Sequence, residues 1–132
     1  MKLVVGGYSQ GKLNYVLQKI NTDNYSVFDG IIPDDAQLQE TFAQKKKVII
    51  HRFHNWVKAR ISQDGNPEEE ILLFIQKSPE VILISDETGN GIVPVDAFER
   101  EYRERTGRIL VELAKRADEV VRVICGIGQK IK

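Results

Sequence analysis

Between residues 4 and 15 the chain reads VVGGYSQGKLNY. Gly6, Gly11 and Lys12 fall at the spacing of the phosphate-cradling pattern G-x-x-x-x-G-K-[ST]. Where such a turn joins a strand to a helix, backbone N–H groups can close around phosphate oxygens. The helix N-terminus adds partial positive charge, and the lysine supplies a point charge for the terminal phosphates. Candidate nucleotide contacts are therefore Gly6, Gly7, Tyr8, Ser9, Gln10, Gly11, Lys12 and Leu13. Leu13 breaks the pattern. The position calls for Ser or Thr, whose hydroxyl ligates the magnesium that bridges the phosphates. Leucine cannot coordinate, so magnesium stays open even where nucleotide is expected. The competing reading is an ordinary strand-to-helix turn that happens to be rich in glycine.

A second handle on the metal would be an acid at the end of a later apolar strand. After VILIS (81–85) stand Asp86 and Glu87, the best candidates for positioning metal or water, with Asp86 a weak metal candidate. Ligands collect at such strand ends in open α/β sheets. With Lys12 they are the candidate catalytic residues; a solvated strand end is the alternative. After VII (48–50) come His51 and Arg52 in place of an acid. His51 is a candidate phosphate or base contact because it should lie near the loop. His51 and His54 without a nearby cysteine fall short of a metal site. Trp56 reads as a core or interface residue before a base-stacking one.

These residues need a scaffold, and the rest of the chain supplies one. KLVV (2–5), YSVFDG (25–30), KVIIHRF (47–53), EVILIS (80–85) and DEVVRVICG (118–126) read as strands. KLNYVLQKI (12–20) and DAQLQETFAQKK (35–46) read as helices, and so does 55–77, broken at Asp64-Gly65-Asn66-Pro67. A long charged helix covers about 95–116, and 87–94 is a loop. Strands alternating with helices imply parallel pairing with right-handed crossovers. The expected fold is an α/β three-layer sandwich with a mostly parallel five-stranded sheet, P-loop NTPase-like, in one domain over residues 1–132.

Nineteen basic residues offset nineteen acidic ones in these 132. No global charge suggests nucleic acid or an anionic membrane as partner. Lys45, Lys46 and Lys47 suit a solvated helix end. Arg100, Arg103, Arg105 and Arg108 stand among acids on the long helix, where an exposed face is expected. The single cysteine, Cys125, sits in the apolar run VVRVICGIG and is expected to be buried and inert. No apolar stretch approaches membrane-spanning length and no secretory leader is legible, so a cytoplasmic protein is expected.

The segment from Ile84 to Lys132 resembles the end of the bifunctional adenosylcobinamide kinase/adenosylcobinamide-phosphate guanylyltransferases. The family's [ND]-E-x-G-x-G-[IV]-V-P loop appears as Asp86-Glu87-Thr88-Gly89-Asn90-Gly91-Ile92-Val93-Pro94. Gly107-Arg108 with Leu113-Ala114, then Ala117-Asp118-Glu119-Val120, and Ile127-Gly128-Gln129-Lys130-Ile131-Lys132 match its later motifs. The opening LVVGGYSQGK is in register with the family's L-[IV]-x-G-G-x-x-S-G-K-S. The resemblance implies GTP or ATP as cofactor, adenosylcobinamide (a corrinoid) as substrate, and homo-oligomers. It makes Arg108, which lies in a family motif, a candidate nucleotide contact.

The chain reads as a shortened, divergent member. Besides Leu13, His51 stands where the family's third strand ends in an acid. The family's guanylyl-accepting histidine lies between the second and third strands. Here that stretch, 31–47, holds no histidine. Two readings follow. One is a nucleotide-binding protein of cobalamin synthesis that is at most a P-loop kinase, with guanylyl transfer lost. The other is an inactive relative, a nucleotide- or corrinoid-binding regulatory or structural module. A weaker third keeps the fold without nucleotide.

Overall fold

The computed structural model describes residues 1–87 and 95–132. In chain order the elements are β1 (Lys2–Gly6), α1 (Lys12–Ile20), β2 (Tyr25–Asp29), α2 (Asp35–Ala43), β3 (Lys47–His51), α3 (Phe53–Ser62), α4 (Pro67–Lys77), β4 (Ile82–Asp86), α5 (Ala97–Arg116), β5 (Glu119–Ile124) and β6 (Ile127–Lys130). The loop expected over 87–94 lies, from Thr88 onward, outside the described residues.

One sheet runs in the order β2-β3-β4-β1-β5-β6. Its first five members pair in parallel, and β6 returns antiparallel along β5. The α/β class and the mostly parallel sheet match expectation, but there is a sixth strand. It arises because Cys125 and Gly126, at φ 51 and 77, form a two-residue turn between the paired Ile124 and Ile127. Positive φ at both turn positions matches the twist of a tight hairpin. Cys125 is consequently exposed, a correction of the buried thiol expected from its apolar neighbours.

Side chains alternate across each strand. Leu3, Val48, Ile50, Leu83 and Val120 meet α2–α5 through Leu38, Phe53, Val57, Ile71, Ile109 and Leu113. Val4, Ile49, Ile82, Ile84, Val121 and Val123 face α1, through Val16 and the partly buried Leu13, Leu17 and Ile20. The layers are thus unequal. Among the described residues, a single helix of nine residues carries the second face. Each such aliphatic side chain, fully buried, contributes about 1.5–3 kcal/mol.

Local signals set most helix starts. Asp34 accepts from the Gln37 N–H while the Gln37 side chain accepts from the Asp34 N–H, a capping box at α2. Asn66 caps α4 ahead of Pro67 and three glutamates, and Asp96 caps α5. One start departs from expectation. The third strand ends at His51, short of the expected 53, and Phe53 opens α3 fully buried. Arg52 makes the break by adopting the left-handed conformation, φ 52 and ψ 48, with no side-chain cap.

Gly6 closes β1 under a tight constraint. It lies in register with Asp86 on one side and Val123 on the other, and a Cβ there would sit 2.5 Å from the Val123 carbonyl oxygen. Gly6→Ala is expected to destabilise the fold by about 1–3 kcal/mol, since backbone must move to admit the methyl. Urea unfolding checks this as a lower midpoint at unchanged slope.

Candidate phosphate-binding site

The strand ends, the loop 7–11 and the start of α1 enclose a cleft of about 610 Å³. Tyr8, Ser9, Gln10, Gly11, Lys12 and Leu13 line it from the loop, and His51 and Asp86 from the sheet. Gly6 and Gly7 are not among its lining residues. Gly7 contributes its carbonyl, which accepts from Lys12 Nζ at 2.7 Å. Gly11 sits at the N-terminal boundary of α1 with φ 82, a conformation that its lack of a Cβ permits.

Lys12 is the centre of the site. Its side chain is only 7% exposed, and Nζ also lies 2.7 Å from Asp86 Oδ1. Asp86 reaches it because Ile82, Ile84 and Asp86 share the α1 face of β4. Glu87, the next residue, turns to the other face. There its carboxylate takes Arg122 Nε at 2.6 Å and Nη2 at 3.1 Å, beside Leu3 and Val5. Glu87 is therefore not a cleft residue, contrary to expectation. Arg108 is also displaced. It pairs with Glu104 on the exposed side of α5 and borders a small pocket of about 100 Å³ with Glu68 and Ile71. Arg105 holds Glu68 and Glu101. Trp56 stacks on Phe53 in the core.

Four cleft residues escaped the sequence-based list: Asn14, Arg52, His54 and Asn55. His54, in the first turn of α3, is the most consequential. Its Nδ1 accepts from the Asp86 backbone N–H at 3.0 Å, and Nε2 lies 3.4 Å from Asp86 Oδ2. An acceptor at Nδ1 places the proton of the neutral ring on Nε2, facing the carboxylate. Burial holds the His54 pKa below its ordinary value against the opposing pull of Asp86. Burial likewise lowers His51, whose Nδ1 is 3.6 Å from Asp29 Oδ1. Asp29 is in turn held low, chiefly by its hydrogen bonds from Arg52.

Lys12, Arg52 and the N-terminus of α1 line the cleft, Lys12 paired with Asp86 and Arg52 with Asp29. A magnesium ion fits less well. Leu13 packs partly into the α1-side core where a ligating hydroxyl would stand, and Lys12 occupies one oxygen of Asp86. Among the described residues no group of three or more His, Cys, Asp or Glu side chains could hold a metal. Among the same residues no helix is long and apolar enough to cross a membrane.

The profile of the cobinamide kinase / cobinamide phosphate guanyltransferase family matches residues 23–131. The bifunctional adenosylcobalamin biosynthesis protein CobU of Salmonella typhimurium is 34% identical over 110 residues, 77% of this chain and 61% of that protein. Its namesake in Escherichia coli is 38% identical over 79 residues, 58% and 44% of the two chains. CobP of Pseudomonas aeruginosa is 29% identical over 69 residues, 52% and 40%. The chain thus spans about half the length of these curated relatives. The phosphate loop precedes the stretch matched by the family profile, so its reading rests on the geometry above.

The buried histidines give the site a pH signature. Above the ordinary histidine value of 6.5, His54 is neutral both folded and unfolded, and its contribution is flat. Below it, the unfolded chain takes up a proton that the folded site resists. Stability therefore falls as pH drops from 6.5 through the lowered folded value. Urea midpoints at about pH 7.5 and 5.5 are expected to show this loss, and His54→Gln is expected to reduce it.

Proposed function

The chain belongs to the cobinamide kinase / cobinamide phosphate guanyltransferase family, and from that premise we propose that it binds GTP or ATP in this cleft in the service of adenosylcobalamin biosynthesis. The observation that carries the reading is Lys12. It is nearly buried at the start of α1, behind a glycine-containing loop, and aimed into the cleft beside Asp86. An incoming phosphate exchanges with Gly7 O and Asp86 for the ammonium protons. The α1 N-terminus and the loop amides then supply further donors.

Guanylyl transfer through a covalent histidine is lost in this reading. The stretch 31–47 has no histidine, and a covalent route without its nucleophile is closed. The two histidines present serve other partners: His54 supports Asp86, and His51 faces Asp29. Phosphoryl transfer is the most that remains. Lys12 would hold the terminal phosphates, while Asp86, released from Lys12, would orient an acceptor hydroxyl such as that of a corrinoid alcohol.

A second reading has its own support in Leu13 and the closed Lys12–Asp86 pair. In it the chain is an inactive relative, a nucleotide- or corrinoid-binding module with a regulatory or structural task. Homo-oligomers and a cytoplasmic location accompany both readings as proposals.

Isothermal titration of GTP and ATP, with and without magnesium, tests the cleft. Lys12→Ala is expected to weaken binding roughly ten- to a hundredfold, the loss of charge-assisted hydrogen bonds to phosphate. Wild-type binding is expected to depend little on magnesium, and Leu13→Ser to raise that dependence by restoring a hydroxyl ligand. Absence of binding in every condition, or binding indifferent to Lys12→Ala, would overturn the nucleotide reading.

A further inference from the structure

Building on the nucleotide reading, we propose that Arg52, oriented by Asp29, binds the terminal phosphate of the nucleotide that Lys12 holds and so selects triphosphates over monophosphates. Placement is the first argument. The strand order β3-β4-β1 sets out a row of strand ends across the cleft: the phosphate loop after β1, Asp86 on β4, then His51 and Arg52 after β3. The loop and the α1 N-terminus take the phosphates nearest to them. Arg52 stands further along the same row, where a longer phosphate chain arrives and a monophosphate does not.

The second argument is conformational. Arg52 occupies the left-handed region, where a residue with a Cβ is disfavoured, and it sits at a helix N-cap without offering a side-chain cap. Two local preferences are broken at one residue. Packing does not explain it, because the side chain is 53% exposed. Such departures gather at sites of function.

The third argument is the ion pair itself. Arg52 Nε donates to Asp29 Oδ1 at 2.7 Å, and Nη2 donates to Oδ2. An exposed pair of this kind adds little stability. Among the described residues, its effect is to fix a planar guanidinium with the Nη1 edge left for a second anion. A preset guanidinium also supplies positive charge that the missing Leu13 hydroxyl and its magnesium do not.

The test compares GTP and GMP by titration calorimetry on wild type, Arg52→Ala, Arg52→Gly, Asp29→Asn and Lys12→Ala. Arg52→Ala is expected to weaken GTP about tenfold and GMP less than about twofold. Asp29→Asn should act in the same direction, less strongly. Arg52→Gly relieves the backbone, so it should keep or raise the melting temperature while showing the same selective loss. A purely structural role would instead weaken both nucleotides together. Equal weakening of both, or no change in either, overturns the role of Arg52 while Lys12→Ala still weakens GTP binding roughly ten- to a hundredfold. If Lys12→Ala leaves GTP binding intact, the cleft reading fails and this inference fails with it.

Discussion

The contact between Lys12 and Asp86, 2.7 Å long and largely shielded from water, is the constraint around which the strand ends are arranged. An ammonium with so little exposure needs an anion beside it to offset its lost hydration. Asp86 supplies that anion only because β4 lies beside β1, with Asp86 in register with Gly6. His54 then braces Asp86 from α3, at both its backbone N–H and its carboxylate. Removing one partner of such a shielded pair leaves the other charge partly desolvated, which typically costs about 3–5 kcal/mol when burial is complete. Asp86 keeps some water contact, so the strain of separating the pair is smaller. That makes the pair breakable by a competing phosphate.

The unequal layers follow from the same placement. Among the described residues, four helices cover the face carrying Leu3, Ile50 and Leu83, and only α1 covers the face carrying Asp29, His51 and Asp86 at its rim. A second helix over that rim would fill the cleft. The sheet tolerates the thin cover because Val4, Ile49, Ile84 and Val121 still become fully buried beneath α1 and its neighbours. Stability is carried by one side of the sheet and access by the other.

Much of this was legible from residue order. VILIS and VVG announce strands buried on both faces, and the apolar spacing of KLNYVLQKI marks α1 to the residue. Lys12 and Asp86 were legible as residues of the cleft because glycine spacing and a strand-end acid carry chemical meaning. The alternation rule, applied to Asp86 and Glu87, would have excluded one of them from the cleft, since neighbours on a strand end point to opposite faces. Arg52 and His54 were hidden for a different reason. The break at Arg52 uses a left-handed residue that is neither Gly nor Asn, so nothing local separates β3 from α3. Cys125 misled in the same way: its apolar neighbours belong to two strands, and the turn between them is set by backbone geometry.

That turn also bears on the loop. The Cys125 N–H donates to Gln10 Oε1 at 2.7 Å, and the Gly126 N–H donates to the Gln10 carbonyl at 2.8 Å. Gln10 is thereby fastened to the β5–β6 hairpin, an edge of the sheet that would otherwise fray on its own. The two hydrogen bonds join segments more than a hundred residues apart in sequence, so opening the loop at Gln10 strips both hairpin amides of their partner. Exchange of the Cys125 and Gly126 amide protons with solvent therefore reports on the closed loop from outside the cleft. Whatever orders the cradle slows the hairpin's exchange as well.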